Sequence, residues 1–159
     1  MNPPLQLGWR EWCALPELGI PAIKAKVDTG AKTSSLHTFR IEPFTTDGTR
    51  FVRFWVHPLQ KNEDLVLECI AAIKDEREVT DSGGHKEMRY IIETQVLIGD
   101  KGWPIEMSLT NRDTMRFRML LGRRAMQGLV KVDPTVSYVH GRLRAKQLYR
   151  LGGLRKKPE

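Results

Sequence analysis

Apolar and polar side chains alternate with a period of two along much of this chain, and that period marks half-buried strands. Residues 49–57, TRFVRFWVH, place Val52, Phe54 and Val56 on one face and Phe51, Arg53, Trp55 and His57 on the other. Asp47-Gly48, just before them, is a hairpin signal. Residues 90–98, YIIETQVLI, are rich in β-formers and predict a second strand. Gly99-Asp100-Lys101-Gly102 can turn the chain into a third at residues 103–109. Residues 117–121, FRMLL, predict a short buried strand stopped by Gly122. Residues 15–23, LPELGIPAI, read as a turn feeding the strand that carries Val27. Helical character is confined to the short stretch GRRAMQGLV and, more weakly, to residues 143–148. Many short strands between frequent turns predict an all-β fold, a small barrel or sandwich.

Length and composition narrow the class. The 159 residues predict one domain with a single core. No apolar run approaches the ~20 residues that span a bilayer, and MNPPLQLGWRE has no basic and apolar leader pattern. Cys13 and Cys69 are isolated thiols without metal-type spacing, which fits a reducing, cytoplasmic setting. The net charge of +7 is unevenly placed. Residues 140–159 hold seven Lys/Arg and one Glu, leaving residues 1–139 with 19 basic and 18 acidic groups. The division expected is therefore a nearly neutral domain, 1–139, and a basic tail, 140–159. Such a tail is either a solubilising terminus or a tether to an acidic partner such as ribosomal RNA.

Residues 25–37, AKVDTGAKTSSLH, carry the chemistry, and their centre has two readings. A phosphate-binding loop needs G-x-x-x-x-G-K-[ST]. With Lys32 as its lysine, the two glycines would fall at positions occupied by Lys26 and Ala31. Both are missing, and the strand-rich context is wrong for a loop that opens a long helix. The other reading is an aspartic peptidase turn: Asp28-Thr29-Gly30 after the apolar Val27 and before the small Ala31. The strand delivers a carboxylate to a cleft, and Gly30 permits the tight turn behind it. The Thr29 hydroxyl can brace a second copy of the loop. That chemistry needs two carboxylates sharing one proton, one activating water and one protonating the scissile carbonyl. Asp28, Thr29 and Gly30 are the candidate catalytic group.

The segments KVDTGAKTSSLH, VTDSGGHKEMRYIIETQVLIG, WPIEMSLTNRDTMRFRMLLGRRAM and GWREWCALPELGIPAIKAKVD resemble the retropepsin-like aspartic endopeptidases associated with the ribosomal-protein glutamate ligase RimK. The resemblance covers about residues 8–139. It implies a retropepsin-like barrel with one short helix after the Gly-Arg motif. It further implies a homodimer with one Asp28 per subunit, and hydrolysis of glutamyl bonds in poly-glutamate tails on a small-subunit ribosomal protein. In retropepsins an apolar pair followed by Gly-Arg packs under the catalytic loop, as MLLGRRAM would here. Residues 80–90, TDSGGHKEMRY, resemble the hairpin flap over the cleft. An older label for this family, ATP-dependent zinc protease, does not suit the sequence. No Walker A loop and no H-E-x-x-H is present, and His37, His57, His85 and His140 are scattered. No cofactor or metal is expected.

Asp81-Ser82-Gly83 is a second D-[ST]-G, as in two-lobed pepsins. The chain is about half the length two lobes need, and Asp81 does not follow an apolar strand residue. Asp81 is thus expected to bind substrate from the flap, with Gly83 and Gly84. Residues 112–124 hold five Arg against one acid, Asp113. Solvated strand edges explain some of them. A peptidase aimed at poly-glutamate explains others, because cations offset repulsion between the carboxylate pair and an anionic substrate. Lys32, Arg89, Arg116, Arg118 and Arg123 are the candidate substrate-binding cations. Alternation would put Arg116 and Arg118 on one face. Two other function classes fit the composition: a non-catalytic module on this fold that holds acidic tails, and a ribosome- or RNA-binding protein acting through the tail.

Overall fold

The computed structural model describes residues 3–80, 83–111 and 116–150. The strands are β1 (Leu5–Leu7), β2 (Arg10–Leu15), β3 (Ile20–Asp28), β4 (Ser34–His37), β5 (Arg40–Thr46) and β6 (Thr49–Val56). They continue with β7 (Leu67–Ala72), β8 (Asp75–Thr80), β9 (Lys86–Ile98), β10 (Lys101–Thr110), β11 (Met119–Gly122) and β12 (Val130–Val132). Two single-turn helices, α1 (Arg123–Met126) and α2 (Ala145–Leu148), fall where helical character was read.

Six strands close a barrel in the order β10-β4-β11-β3-β2-β9, with β9 pairing β10 to shut the ring. Closure rests on the length of β9. Its first half pairs with β8, its second half with β10, and Leu97 also faces Ala14 of β2. β8 pairs with the first half of β9 at the edge of this sheet, and Gly83-Gly84, in the segment expected to form a flap, lie in the connection between them. β5, β6 and β7 form a separate three-stranded sheet. Asp47 and Gly48 both have positive φ, 50° and 77°, the mirror-image turn that suits a two-residue hairpin.

The core follows the alternation. Ala25 and Val27 of β3, Leu36 of β4, Ile92 and Val96 of β9, Met107 and Leu109 of β10, and Met119 and Leu121 of β11 are buried together. Val52, Phe54 and Val56, the face predicted for β6, join the same cluster. Each such side chain contributes about 1.5–3 kcal/mol on leaving water.

One expectation is corrected. Residues 116–118 bend, and β11 begins only at Met119. Arg116 is exposed, whereas Arg118 is 6% exposed, so the two do not share a face. The alternation fails because the strand the argument needed starts after them.

The two ends of the domain are tied by Glu11, which is fully buried. Its carboxylate accepts N–H bonds from Gly8 (2.7 Å), Val139 (3.1 Å) and His140 (3.4 Å). Gly8 is needed there, since a Cβ would sit 2.2 Å from the Val136 carbonyl oxygen. Residues 140–150 stay against the barrel, where the Tyr149 hydroxyl donates to the Ala22 carbonyl at 2.5 Å.

Replacing Glu11 by Ala strands these donors, which costs about 1–3 kcal/mol for each that stays dry. Glu11→Ala is therefore expected to lose about 3 kcal/mol or more of unfolding free energy in a denaturant titration. A loss below about 1 kcal/mol would mean that water replaces the carboxylate freely.

Candidate functional site

Asp28 is the last residue of β3, opposite Gly122 in the register with β11. β11 is threaded between β3 and β4, parallel to the first and antiparallel to the second. Since Val27 is buried and Lys26 exposed, alternation turns the half-buried Asp28 outward. The chain then folds into a tight turn. The Ala31 N–H donates to the Asp28 carbonyl at 3.2 Å, and the Gly30 N–H donates to Asp28 Oδ1 at 3.0 Å. A Cβ on Gly30 would stand 3.3 Å from that same oxygen. Gly30 thus has a steric reason beyond turn formation: it leaves room for the carboxylate.

The Gly-Arg motif locks this turn from behind. The Arg123 N–H donates to the Ala31 carbonyl at 2.6 Å, and the Arg124 N–H to the Lys32 carbonyl at 3.1 Å. The Arg123 guanidinium reaches the Thr29 carbonyl at 2.9 Å. The Gly122 N–H donates to Ser34 Oγ at 2.9 Å. Gly122 allows this approach, because a Cβ there would lie 2.6 Å from the Thr33 carbonyl carbon. Ser34, Ala31 and the Arg124 backbone are members of the site that the sequence did not single out. The signal available for Ser34 was its small, polar character at the start of a fully buried barrel strand, which only the structure makes evident.

Lys32 and Thr29 are exposed at the turn. Gly83 and Gly84 lie in the connection between β8 and β9, and Gly84 has a positive φ of 84°. Asp81 lies outside the described residues, as do Arg112 and Asp113. Arg89 is 9% exposed; its Nε donates to Glu87 at 2.6 Å and its Nη1 contacts Ser108 Oγ at 3.4 Å. Of the cations named from sequence, Arg123 and Lys32 are at the Asp28 turn, while Arg89 is bonded at the base of the β8–β9 hairpin.

That base carries its own charge network. Lys74 bridges Glu106 (3.1 Å) and Glu93 (3.5 Å), and Arg77 bridges Glu106 (3.1 Å) and Asp75 (3.0 Å). Burial would raise the Glu106 carboxyl, but hydrogen bonds from Lys74 and Arg77 outweigh it and hold the group below the ordinary range. The cysteines are inert by contrast. Burial, with some repulsion from Glu11, pushes the Cys13 thiol far up, and burial pushes Cys69 up to about 12. No cluster of three or more His, Cys, Asp or Glu able to hold a metal occurs among the described residues. His37 Nδ1 lies 3.0 Å from Thr110 Oγ1, and His57 stacks on Phe39 at 4.1 Å. Nor is any helix of the described residues long and apolar enough to cross a membrane.

A closed barrel with an apolar strand threaded beside a D-T-G turn, and Gly-Arg beneath that turn, defines a retropepsin-like aspartic endopeptidase fold. Residues 6–143 match the RimB-like family, described as "Retropepsin-like aspartic endopeptidase RimB", and the chain belongs to that family. A protein named probable alpha-L-glutamate ligase from Parasynechococcus marenigrum is 51% identical over 142 residues, which cover 89% of this chain and 30% of that protein. A protein of the same name from Shewanella pealeana is 45% identical over 146 residues, 90% of this chain and 32% of that one. The chain thus spans about a third of the length of these relatives. Among solved structures, a Legionella pneumophila protein of unknown function, Lpg0085 (DUF785), superposes with a TM-score of 0.70 at 26% identity. The match covers 86% of this chain and 98% of that one.

Gly122→Ala tests the lock. The added methyl forces β11 away from the turn, and overpacking of this kind costs about 1–3 kcal/mol. The expected result is that loss in urea unfolding, together with faster amide exchange at Ala31 and Gly122. Unchanged exchange at both amides would show that the turn does not depend on the close approach. The Glu106 network makes a separate pH prediction. A depressed carboxyl contributes stability that is present above the unfolded value and lost as pH falls through the folded one. Stability is expected to drop on acidification below the ordinary glutamate value of 4.5. Glu106→Gln should flatten that drop, and an identical acid profile in the variant would remove Glu106 from the account.

Proposed function

We propose that this chain is a homodimeric aspartic peptidase that hydrolyses glutamyl bonds in poly-glutamate tails on a small-subunit ribosomal protein. The observation that carries the reading is the Asp28 turn. A carboxylate is held at the end of a barrel strand, with Gly30 leaving room for it, Gly122 letting β11 approach the backbone of Thr33 and Ser34, and Arg123 fixing the backbone that presents it. A binding module for acidic tails would gain nothing from a carboxylate held in this way.

One chain supplies one such aspartate, and the reaction needs two, so two copies face their Asp28 turns across a shared cleft. In that pair one carboxylate takes a proton from water as the water attacks the scissile carbonyl carbon. The other donates its proton to the carbonyl oxygen. Collapse of the tetrahedral adduct breaks the C–N bond, and the departing nitrogen takes the proton. No metal or nucleotide enters the scheme. The substrate class draws support from the relatives, whose name describes ligation of α-linked glutamate in a longer polypeptide that contains a region like this one. A peptidase beside such a ligase would trim what it adds. The cytoplasm is the setting that suits two cysteines without a disulfide, and the basic end of the chain offers a contact to ribosomal RNA.

Incubation with an α-linked poly-glutamylated peptide, followed by mass spectrometry, tests the reading. The expected products are shortened by whole glutamates, EDTA leaves the rate unchanged, and Asp28→Asn abolishes cleavage with the fold intact. Full activity in Asp28→Asn would remove the residue from the mechanism. Activity restored to a chelated sample by zinc alone would overturn the metal-free scheme.

A further inference from the structure

The cations closest to Asp28 along its own strand are ones the sequence reading passed over. Lys26 lies two residues before Asp28 on β3, shares its outward face, and is exposed. Arg10 of β2 is its cross-strand partner, and Trp12 faces Lys24 in the next such pair. Directly opposed residues in a sheet point the same way, so Asp28, Lys26, Lys24, Arg10 and Trp12 line one surface.

Aromatic rings, not carboxylates, stand against Arg10, Lys24 and, nearby, Arg142. The Arg10 guanidinium lies 4.4 Å from the Trp9 ring centre and 4.9 Å from Tyr138. Lys24 Nζ is 5.3 Å from Trp12 and 5.8 Å from Tyr138, and the Arg142 guanidinium is 5.6 Å from the same Tyr138. Their hydrogen bonds are to neutral groups: Arg10 Nε to Ser137 Oγ at 3.1 Å, and Lys24 Nζ to Gln60 Oε1 at 3.3 Å. Among the described residues the ion pairs lie elsewhere, on β5 to β10. The difference matters chemically. A carboxylate partner neutralises a cation, whereas a ring beneath it orients the head group and leaves its charge and N–H edges for an incoming anion.

We propose that Lys26, Arg10, Lys24 and Arg142 form an exosite that holds the carboxylates of an extended acidic peptide leading away from Asp28. The proposal rests on the peptidase reading for its substrate, but not for the binding itself. The spacing supports a peptide. Same-face residues on a strand are about 6.7 Å apart, which is both the Lys26–Lys24 step and the spacing of same-face glutamates in an extended chain. Cations already cover faces of all three rings, which disfavours stacking of nucleic-acid bases there.

Fluorescence anisotropy with labelled α-linked octaglutamate, on full-length wild type and on Asp28→Asn, reads binding without needing turnover. The triple variant Arg10→Gln/Lys24→Gln/Lys26→Gln is expected to bind roughly 30-fold more weakly or worse. A control with the same charge loss elsewhere, Lys61→Gln/Lys101→Gln/Lys131→Gln, should lose only about threefold. Lys26 is exposed, so Lys26→Glu alone keeps the fold. It should lose roughly tenfold, while Lys26→Arg stays near wild type. Equal losses in the two triple variants would overturn the exosite, as would equal affinity for octaglutamine. Tighter binding of an RNA octamer at the same residues would assign the face to nucleic acid and also overturn it. Binding that depends on the row without any cleavage would sustain the exosite and sink the peptidase reading. Cleavage and binding that ignore the row would do the reverse.

Discussion

The structure turns on the approach of one backbone to another, Gly122 against Thr33 and Ser34. A strand of Met-Leu-Leu-Gly can enter the wall between β3 and β4 only if its last residue has no side chain. Once it is there, the next two amides cap the carbonyls of Ala31 and Lys32, and the Arg123 side chain caps Thr29. These carbonyls of the Asp28 turn are thereby satisfied by residues that directly follow a buried strand. A surface loop with a free carboxylate becomes a fixed feature of the barrel. The stiffness comes from packing Leu121 and Met119 into the core, a region where small displacements are costly.

Alternation along the end of β3 explains why the surface beside Asp28 is polar and the core is not. Ile23, Ala25 and Val27 are buried, so the face that carries Asp28 also carries Lys26 and Lys24. Glu11 binds the backbone of residues 139 and 140 to the start of β2. Tyr138, next to them, stands against Arg10 and Lys24. A buried acid thus helps set the geometry of a cationic surface beside the Asp28 turn.

Much of this was legible in the sequence. Period-two alternation located β6, β9 and β10, and turn chemistry located the Asp47-Gly48 hairpin. The D-T-G and Gly-Arg segments marked the two stretches that meet at the Asp28 turn. What escaped has physical causes. Arg116 and Arg118 were assigned a common face because the strand was extended two residues too far, across bends that periodicity does not register. Glu11 is not singled out by the sequence, since nothing local shows that three backbone amides from both ends converge on it. Nor are Lys26 and Arg10 singled out as site cations. Only the register between β2 and β3 reveals that they stand on the Asp28 face, and only the return of residues 137–142 reveals the rings that stand against Arg10 and Lys24.

The central claim is that a single Asp28 per chain acts in a pair assembled across two copies. Wild-type protein mixed with rising amounts of Asp28→Asn, at constant wild-type concentration, tests it most directly. If the carboxylates act as a pair, mixed dimers hold one aspartate each, and glutamate release falls steeply toward zero as the variant comes into excess. Release that stays constant however much variant is added would mean that one chain carries the whole site, and the account would be wrong.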